Sequence, residues 1–319
     1  MKALVTGVAG FVGSHLATAL LEQGRDVVGI DAFTDYYARE IKETNLAPLR
    51  REPRFHFIEG ALQTTDLSRA LEGVSHVFHL AGQPGVRKSW GRDFTSYTSD
   101  NVEATQRLLE AVKGRPIERL VYASSSSVYG DDVAIPMRED ARVTPVSPYG
   151  VTKLAAEHLC HLYAVNFAVP TVSLRYFTVY GPRQRPDMAF HRFITAALTG
   201  RPVSLYGDGA QTRDFTFVTD AVTATIAAGD RGLPGAVYNI GGGSRVSVND
   251  VLALVERVTG RALRVDREPS QKGDMRDTFA DTSRARAEIG FAPTVPLAEG
   301  LAAEAAWLAP SLTAPQPRD

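Results

Sequence analysis

Cysteine is nearly absent: Cys160 stands alone in 319 residues, which excludes any disulfide within the chain and suits a reducing compartment. Cys160 itself falls on an expected buried helix face and is assigned to packing. Long apolar runs are missing as well. No stretch approaches the roughly 20 apolar residues that a membrane-spanning helix requires. The opening "MKALVTG" enters a strand-like segment without the basic, apolar and cleavage regions of a secretory leader. A soluble, cytoplasmic protein is therefore expected. The third absence is an excess of charge: 35 Lys plus Arg meet 36 Asp plus Glu. No overall field then attracts nucleic acid or an anionic membrane, and an anionic partner has to be met by local groups. A small molecule is the expected partner class.

What is present is ample core material, 44% hydrophobic, without internal repeats or low-complexity blocks. Short apolar runs alternate with helical patterns: "KALVTG" then 11–23, "DVVGID", "FHFIEG" then 67–71, "HVFHLAG", 102–112, "RLVYASS". This alternation predicts an α/β fold with a parallel sheet covered by helices on both faces. Beyond about residue 168 the rhythm loosens. "TVSLRYF" predicts another buried strand, "YGPRQRPDM" a site-lining loop, and helices are expected at 188–199, 219–229 and 247–259, with a strand at "AVYNIGG". The expected division is a dinucleotide-binding domain over 1–168, with chain returning at about 213–240, and a smaller lobe over 169–319. The closing "LTAPQPRD" is expected to fray.

"TGVAGFVG" sets Gly7, Gly10 and Gly13 between a strand and a helix. Missing side chains there permit a tight turn, a close approach of backbone to a pyrophosphate, and close helix packing. Asp31 closes the next strand, 18 residues after Gly13. A carboxylate at that point accepts from both hydroxyls of an adenosine ribose and repels a 2′-phosphate, so NAD is favoured over NADP.

In "TPVSPYGVTKLAAEHL", Ser147 suits a helix cap, Pro148 its first turn, and the i, i+4 spacing puts Tyr149 and Lys153 on one face. A solvent-exposed pair is the plainer alternative. The Gly-rich loop and the hydroxyl-rich "YASSSSVYG" lie upstream in the order that a nicotinamide-dependent alcohol oxidation uses. A free tyrosine titrates near ~10; a neighbouring ammonium and a positive nicotinamide are expected to lower it and make the phenolate a general base.

These segments, with "HLAGQPGV", "DNVEATQRLLEA", "RYFTVYGPRQRPDMAF", "RDFTFVTD", "YNIGGG" and "KGDMRDTFAD", run through essentially the whole chain. The sequence resembles the extended short-chain dehydrogenase/reductase family, in particular its nucleotide-sugar epimerases and dehydratases. The resemblance implies a Rossmann-like doubly wound parallel sheet with a smaller α/β substrate-binding lobe, NAD as cofactor, no metal, and a homodimer formed by helices at about 94–113 and 148–167. It makes Ser125 the hydroxyl paired with Tyr149 and gives Lys153 the nicotinamide ribose. Around the cofactor it sets Gly7, Gly10, Phe11, Val12, Gly13 and Asp31, then Leu80, Ala81, Asn101 and Tyr176. Arg213, Asp274 and Arg276 are implied for the diphosphate and ribose, Met188 and Phe190 for the covering loop, and Arg87 and Arg185 as cations near the sugar. Two departures concern the adenosine end: "GALQT" puts Ala61 where the family usually carries an Asp, and Ala32 stands where Asn is common.

Family dehydratases carry an acid pair after the catalytic hydroxyl, and decarboxylases keep a Glu at the second position; here Ser126 and Ser127 occupy these places. Neither serves as a carboxylate base at neutral pH. Thr178 replaces the Asn usual in UDP-glucose 4-epimerases, and "FTVYGP", "RPDMAF" and "DAFTDYY" resemble UDP-glucuronate 4-epimerases, whereas Arg183 of "YGPR" matches decarboxylases. Ser126, Ser127 and Thr178 either satisfy loop backbone or offer three neutral donors to a C5 substituent. In the second case, oxidation at C4 of a uronate gives a β-keto acid, and donors that hold the carboxylate out of alignment with the ketone suppress loss of carbon dioxide. The expected activity is C4 epimerisation of a UDP-sugar, UDP-glucuronate to UDP-galacturonate, through a transient 4-keto sugar. A UDP-glucose 4-epimerase and a UDP-glucuronate decarboxylase are the alternatives.

Overall fold

The computed structural model describes residues 1–313 of the chain; the expectation for "LTAPQPRD" falls almost wholly outside them. Strands β1 (Lys2–Thr6), β2 (Asp26–Asp31), β3 (Phe55–Glu59), β4 (His76–His79), β5 (Arg119–Ser125), β6 (Thr171–Tyr176) and β7 (Val237–Ile240) form one sheet. Its order is β7-β6-β5-β4-β1-β2-β3 and every pairing is parallel. The order runs outward from β1 in both directions. Such a reversal opens a crevice at the carboxyl ends of the strands, where ligands of doubly wound sheets bind.

Burial follows the pleat. Ala3 and Val5 of β1 join one apolar cluster while Leu4 between them joins the other. On the first face lie α1 (Phe11–Glu22) and, from much later in the chain, a helix at Val218–Arg231. On the second lie helices Ala104–Val112 and Pro148–Phe167, with Cys160 fully buried between helix and sheet. We label these α2 (Ala104–Val112), α3 (Pro148–Phe167) and α4 (Val218–Arg231). The seventh strand and α4 bring residues from beyond 200 back onto the sheet, and β6 lies three residues past the expected boundary at 168, hydrogen-bonded to β5.

The remaining chain builds a lobe over the strand ends. Helices Ala189–Thr199, Val248–Thr259 and Leu297–Thr313 pack together, and the short strand Val203–Tyr206 pairs in parallel with Val265–Glu268. Val179–Tyr180 and Thr216–Phe217, also parallel, join this lobe to the sheet. Among the described residues no helix is long and apolar enough to cross a membrane.

Candidate active site

A cavity of about 750 Å³ runs along the carboxyl ends of the sheet, floored by the strand ends and roofed by the lobe. At one end is the β1–α1 turn. Gly7 has φ +71°, a left-handed conformation, and a Cβ on it would lie 2.8 Å from the Ala81 nitrogen. A Cβ on Gly13 would overlap the Gly7 carbonyl oxygen. Gly10 caps α1 without a side-chain bond, so the first-turn amides have no side-chain partner there, and Phe11, Val12 and Gly13 line the cavity. This is a cradle that side chains would fill, suited to a pyrophosphate. Asp31 lines the cavity beside this turn: Oδ2 accepts from the Ala9 amide at 3.0 Å and Oδ1 from the Phe33 amide at 2.9 Å. Burial raises its pKa, while the Phe33 amide, the Lys42 charge and the Ala9 amide favour the carboxylate. Ala61 also lines this end and brings no polar group, whereas Gln63 and Asp100, which sequence reasoning missed, do. The residues fit NAD. Gly13→Ala is expected to weaken NAD binding roughly tenfold or more, about 1.4 kcal/mol, as read by titration calorimetry.

Leu80 and Ala81 form the next wall, and the Ala81 amide donates to Thr6 Oγ1 at 3.1 Å. Asn101 lies behind this wall rather than on it, because its side chain is wholly engaged elsewhere. Oδ1 accepts from the Gln83 amide (2.8 Å), and Nδ2 donates to the Gln83 carbonyl (3.1 Å) and to Thr152 Oγ1 on α3 (3.0 Å). It sits in a π-helical turn, Thr98–Glu103, a geometry that adds a residue to the turn and often marks functional sites. Asn101 shapes the site by fixing the 80–84 loop.

Ser147 caps α3 by accepting from the Gly150 amide at 3.1 Å, and Tyr149 and Lys153 both line the cavity. Ser125 ends β5, accepts from the Ser127 amide at 3.1 Å, and lines the cavity together with Tyr149. Burial raises the pKa of Tyr149; the Ser125 hydroxyl and the Arg185 guanidinium oppose it. The net shift is upward, against the lowering expected from Lys153, and the charge that opposes burial is that of Arg185. The Lys153 ammonium lies 4.7 Å from the centre of the Tyr122 ring, and burial brings its pKa down to about 8. Tyr176 faces the cavity with its ring, its hydroxyl held by Thr225 Oγ1 at 2.6 Å.

Ser126, Ser127 and Thr178 line the same cavity, as does Asp187. Asp187 is bound by Arg185, Nε at 2.9 Å and Nη2 at 3.0 Å, and accepts from Tyr36 at 3.3 Å. Tyr36 was not anticipated from the sequence; it belongs to the "DAFTDYY" segment. At the far end Arg87 pairs with Asp274 at 2.7 Å, and Arg213 donates to the carbonyls of Thr212, Met275 and Arg276. Arg87 and the unforeseen Arg192 lie over the Tyr206 ring, 4.1 and 6.0 Å from its centre. Met188 and Phe190 line the cavity at the start of the helix Ala189–Thr199. Arg276 does not line it: its guanidinium reaches Asp208 at 3.0 Å on the exposed surface. Nor does Arg183, which has φ +65° and a buried Nη1 without a partner.

The loop after β6 is tied down by Glu304, fully buried, whose Oε2 accepts from the Gly181 amide at 2.9 Å. Burial outweighs that bond and lifts the Glu304 pKa to about 8. A carboxyl raised above its unfolded value of about 4.3 contributes most below that value and loses its contribution as pH rises through 8. Glu304→Gln should therefore raise the melting temperature relative to wild type at pH 8.5, on the order of 2 °C or more, and change it little at pH 4.5. Scanning calorimetry at the two pH values tests this.

Residues 3–241 match the NAD dependent epimerase/dehydratase family. An uncharacterized UDP-glucose epimerase of Bacillus subtilis (strain 168) is 47% identical over 97% of this chain and 98% of its own. A UDP-glucuronate 4-epimerase of Thermodesulfobacterium geofontis (strain OPF15) is 36% identical, covering 95% of each chain. The crystal structure of UDP-glucuronic acid 4-epimerase from Bacillus cereus, in complex with UDP-glucuronic acid and NAD, superposes with a TM-score of 0.94 at 46% identity over 97% of this chain and 99% of that one.

Proposed function

The chain belongs to the NAD dependent epimerase/dehydratase family, and from that membership and the cavity we propose that it inverts C4 of UDP-glucuronate to give UDP-galacturonate. The carrying observation is that Ser126 and Ser127 directly follow Ser125 and line one cavity with Thr178 and Tyr149, where an acid-base pair for dehydration would need carboxylates. Arg183, the one feature in common with decarboxylases, stands outside the cavity lining and lends that alternative nothing.

NAD, when bound, accepts the C4 hydride and gives it back. The protein does the rest. Tyr149 as phenolate takes the C4 hydroxyl proton, assisted by the Ser125 hydroxyl, and returns it once the sugar has presented its other face. Lys153 holds the cofactor ribose. Arg87, Arg192 and Arg213 hold the diphosphate, so that the sugar turns about a fixed nucleotide. The three hydroxyls keep the uronate carboxylate away from the ketone π system. Incubation of the purified protein with UDP-glucuronate and, separately, UDP-glucose, with products resolved by NMR, tests the assignment: UDP-galacturonate is the expected product, and conversion of UDP-glucose alone would overturn it in favour of a hexose 4-epimerase.

We also propose a cytoplasmic homodimer. The outward face of α3 exposes Val151, Leu162 and Val165, at 49, 52 and 68% of their surface, beside the helical run at 94–112 that carries exposed Phe94. Apolar side chains in such a row favour a partner helix pair. Sedimentation should give twice 34.5 kDa; a species of only 34.5 kDa at micromolar concentration would count against it.

A further inference from the structure

Glu157 lies four residues beyond Lys153 and eight beyond Tyr149, on the same face of α3. It is 5% exposed and does not line the cavity. A carboxylate taken out of water has to be paired, and this one has three donors. Oε2 accepts from Ser124 Oγ at 2.6 Å and Arg175 Nε at 3.1 Å, and Oε1 from Arg175 Nη2 at 2.6 Å. The partners are neighbours in register: Ser124 on β5 stands opposite Arg175 on β6, and the next rung is Ser125 opposite Tyr176, both facing the cavity. Arg175 continues the chain of contacts, donating to the Glu139 carbonyl at 3.2 Å and lying 4.7 Å from the centre of the Tyr129 ring. The Tyr129 hydroxyl donates to Asn239 of β7 at 2.7 Å.

A buried ion pair gains little stability over apolar side chains of the same shape, because desolvation offsets the attraction. Its geometry is the more telling property. We infer that Glu157 is a positioning residue for the epimerase reaction: through Ser124 and Arg175 it fixes the helix bearing Tyr149 and Lys153 against the strand ends bearing Ser125 and Tyr176. The inference rests on the proposed activity only for the assay substrate; the clamp serves whichever UDP-sugar is oxidised.

Glu157 also shares charge with Lys153. The ammonium is faced by Glu157 and Cys160 from its own helix, by Tyr122 of β5 and by His79 of β4, with Arg175 of β6 behind Glu157. Of these, Cys160 and Glu157 favour the charged form against burial. Loss of the Glu157 charge therefore lets Lys153 deprotonate at lower pH.

Glu157→Gln, Ser124→Ala and the apolar pair Glu157→Leu with Arg175→Met are compared with wild type. Ser124→Ala frees the catalytic strand from the helix but keeps the ion pair, so it should fold, and its kcat should fall about tenfold, since misplacement of reacting groups by ~1 Å costs up to 10². KM for the UDP-sugar and the Kd of NAD should stay within about twofold. Glu157→Gln should move the alkaline limb of the kcat profile down by about half a pH unit or more, and Glu157→Asp should restore that limb. Wild-type kcat in both Ser124→Ala and the apolar pair would overturn the inference, as would losses that track melting temperature and vanish on cooling the assay. If wild type turns over UDP-glucose and not UDP-glucuronate, the substrate assignment fails and the same comparison is made on UDP-glucose.

Discussion

Tyr149→Phe is expected to lower turnover of UDP-glucuronate by about 10² or more, the usual contribution of a general acid–base group, and to leave NAD affinity unchanged. The substitution deletes one oxygen. The ring keeps its edge-to-face contact with Tyr97, 6.2 Å between centres, so the start of α3 and the wall at Pro84 and Gly85 that Tyr97 holds stay in place. The glycine turn, Asp31 and Lys153 are untouched. What is lost is the phenol that lines the cavity with Ser125 and is assigned the C4 proton. Single-turnover kinetics with quenched-product NMR, set beside calorimetric titration of NAD, separates chemistry from binding. Retention of more than about a tenth of wild-type activity would show that proton transfer runs through another group.

The second expectation concerns product identity. Thr178 ends the segment after β6, its backbone carbonyl fixed by the Thr216 amide at 3.0 Å, so Thr178→Ala changes the hydroxyl without releasing the loop. A hydrogen bond to a charged group contributes about 1.5–3 kcal/mol net. Removal of one from the uronate carboxylate should weaken UDP-glucuronate binding and shift the keto sugar toward loss of carbon dioxide, by roughly tenfold or more relative to wild type. A UDP-pentose should accumulate. Unchanged uronate kinetics without pentose would reject the assignment of Thr178, and altered UDP-glucose turnover without carbon dioxide would place a hydroxymethyl group there instead.

The parts of this site that were legible in the sequence are those set by local spacing. The glycines around α1, Asp31 at the end of β2, the capped α3 with Tyr149 and Lys153 one turn apart, and the run of serines ending β5 each follow from a period of two or 3.6, and helices at 189–199, 218–231 and 248–259 fall where the periodicity puts them. What stayed hidden depends on distance along the chain. Asp208 draws Arg276 away from the cavity across 68 residues, and Asn101 turns toward Gln83 because the helix inserts a π turn, which composition does not signal. The strand pair 203–206 with 265–268 is four residues on each side and half polar, so neither member stands out alone. The helix Arg39–Leu46, "REIKETNL", has too few apolar residues to register as amphipathic; Leu46 is buried in the apolar cluster that includes α1. The nearest cation in sequence, Lys153, is not the charge that opposes burial at Tyr149; that is Arg185, from a loop 36 residues later.

The parallel pair Val179–Tyr180 with Thr216–Phe217 bears on how ligand gets in and out. It sets two traversals of the chain side by side where the lobe meets the sheet. With the junction held by these strands, ligand is expected to pass by local breathing at Tyr36, Arg87 and Asp187, which line the cavity from three separate loops. A cross-link that stiffens the lobe against the sheet should be tolerated, and one that staples the 32–37 loop to the 183–188 loop should trap whatever nucleotide sugar is inside.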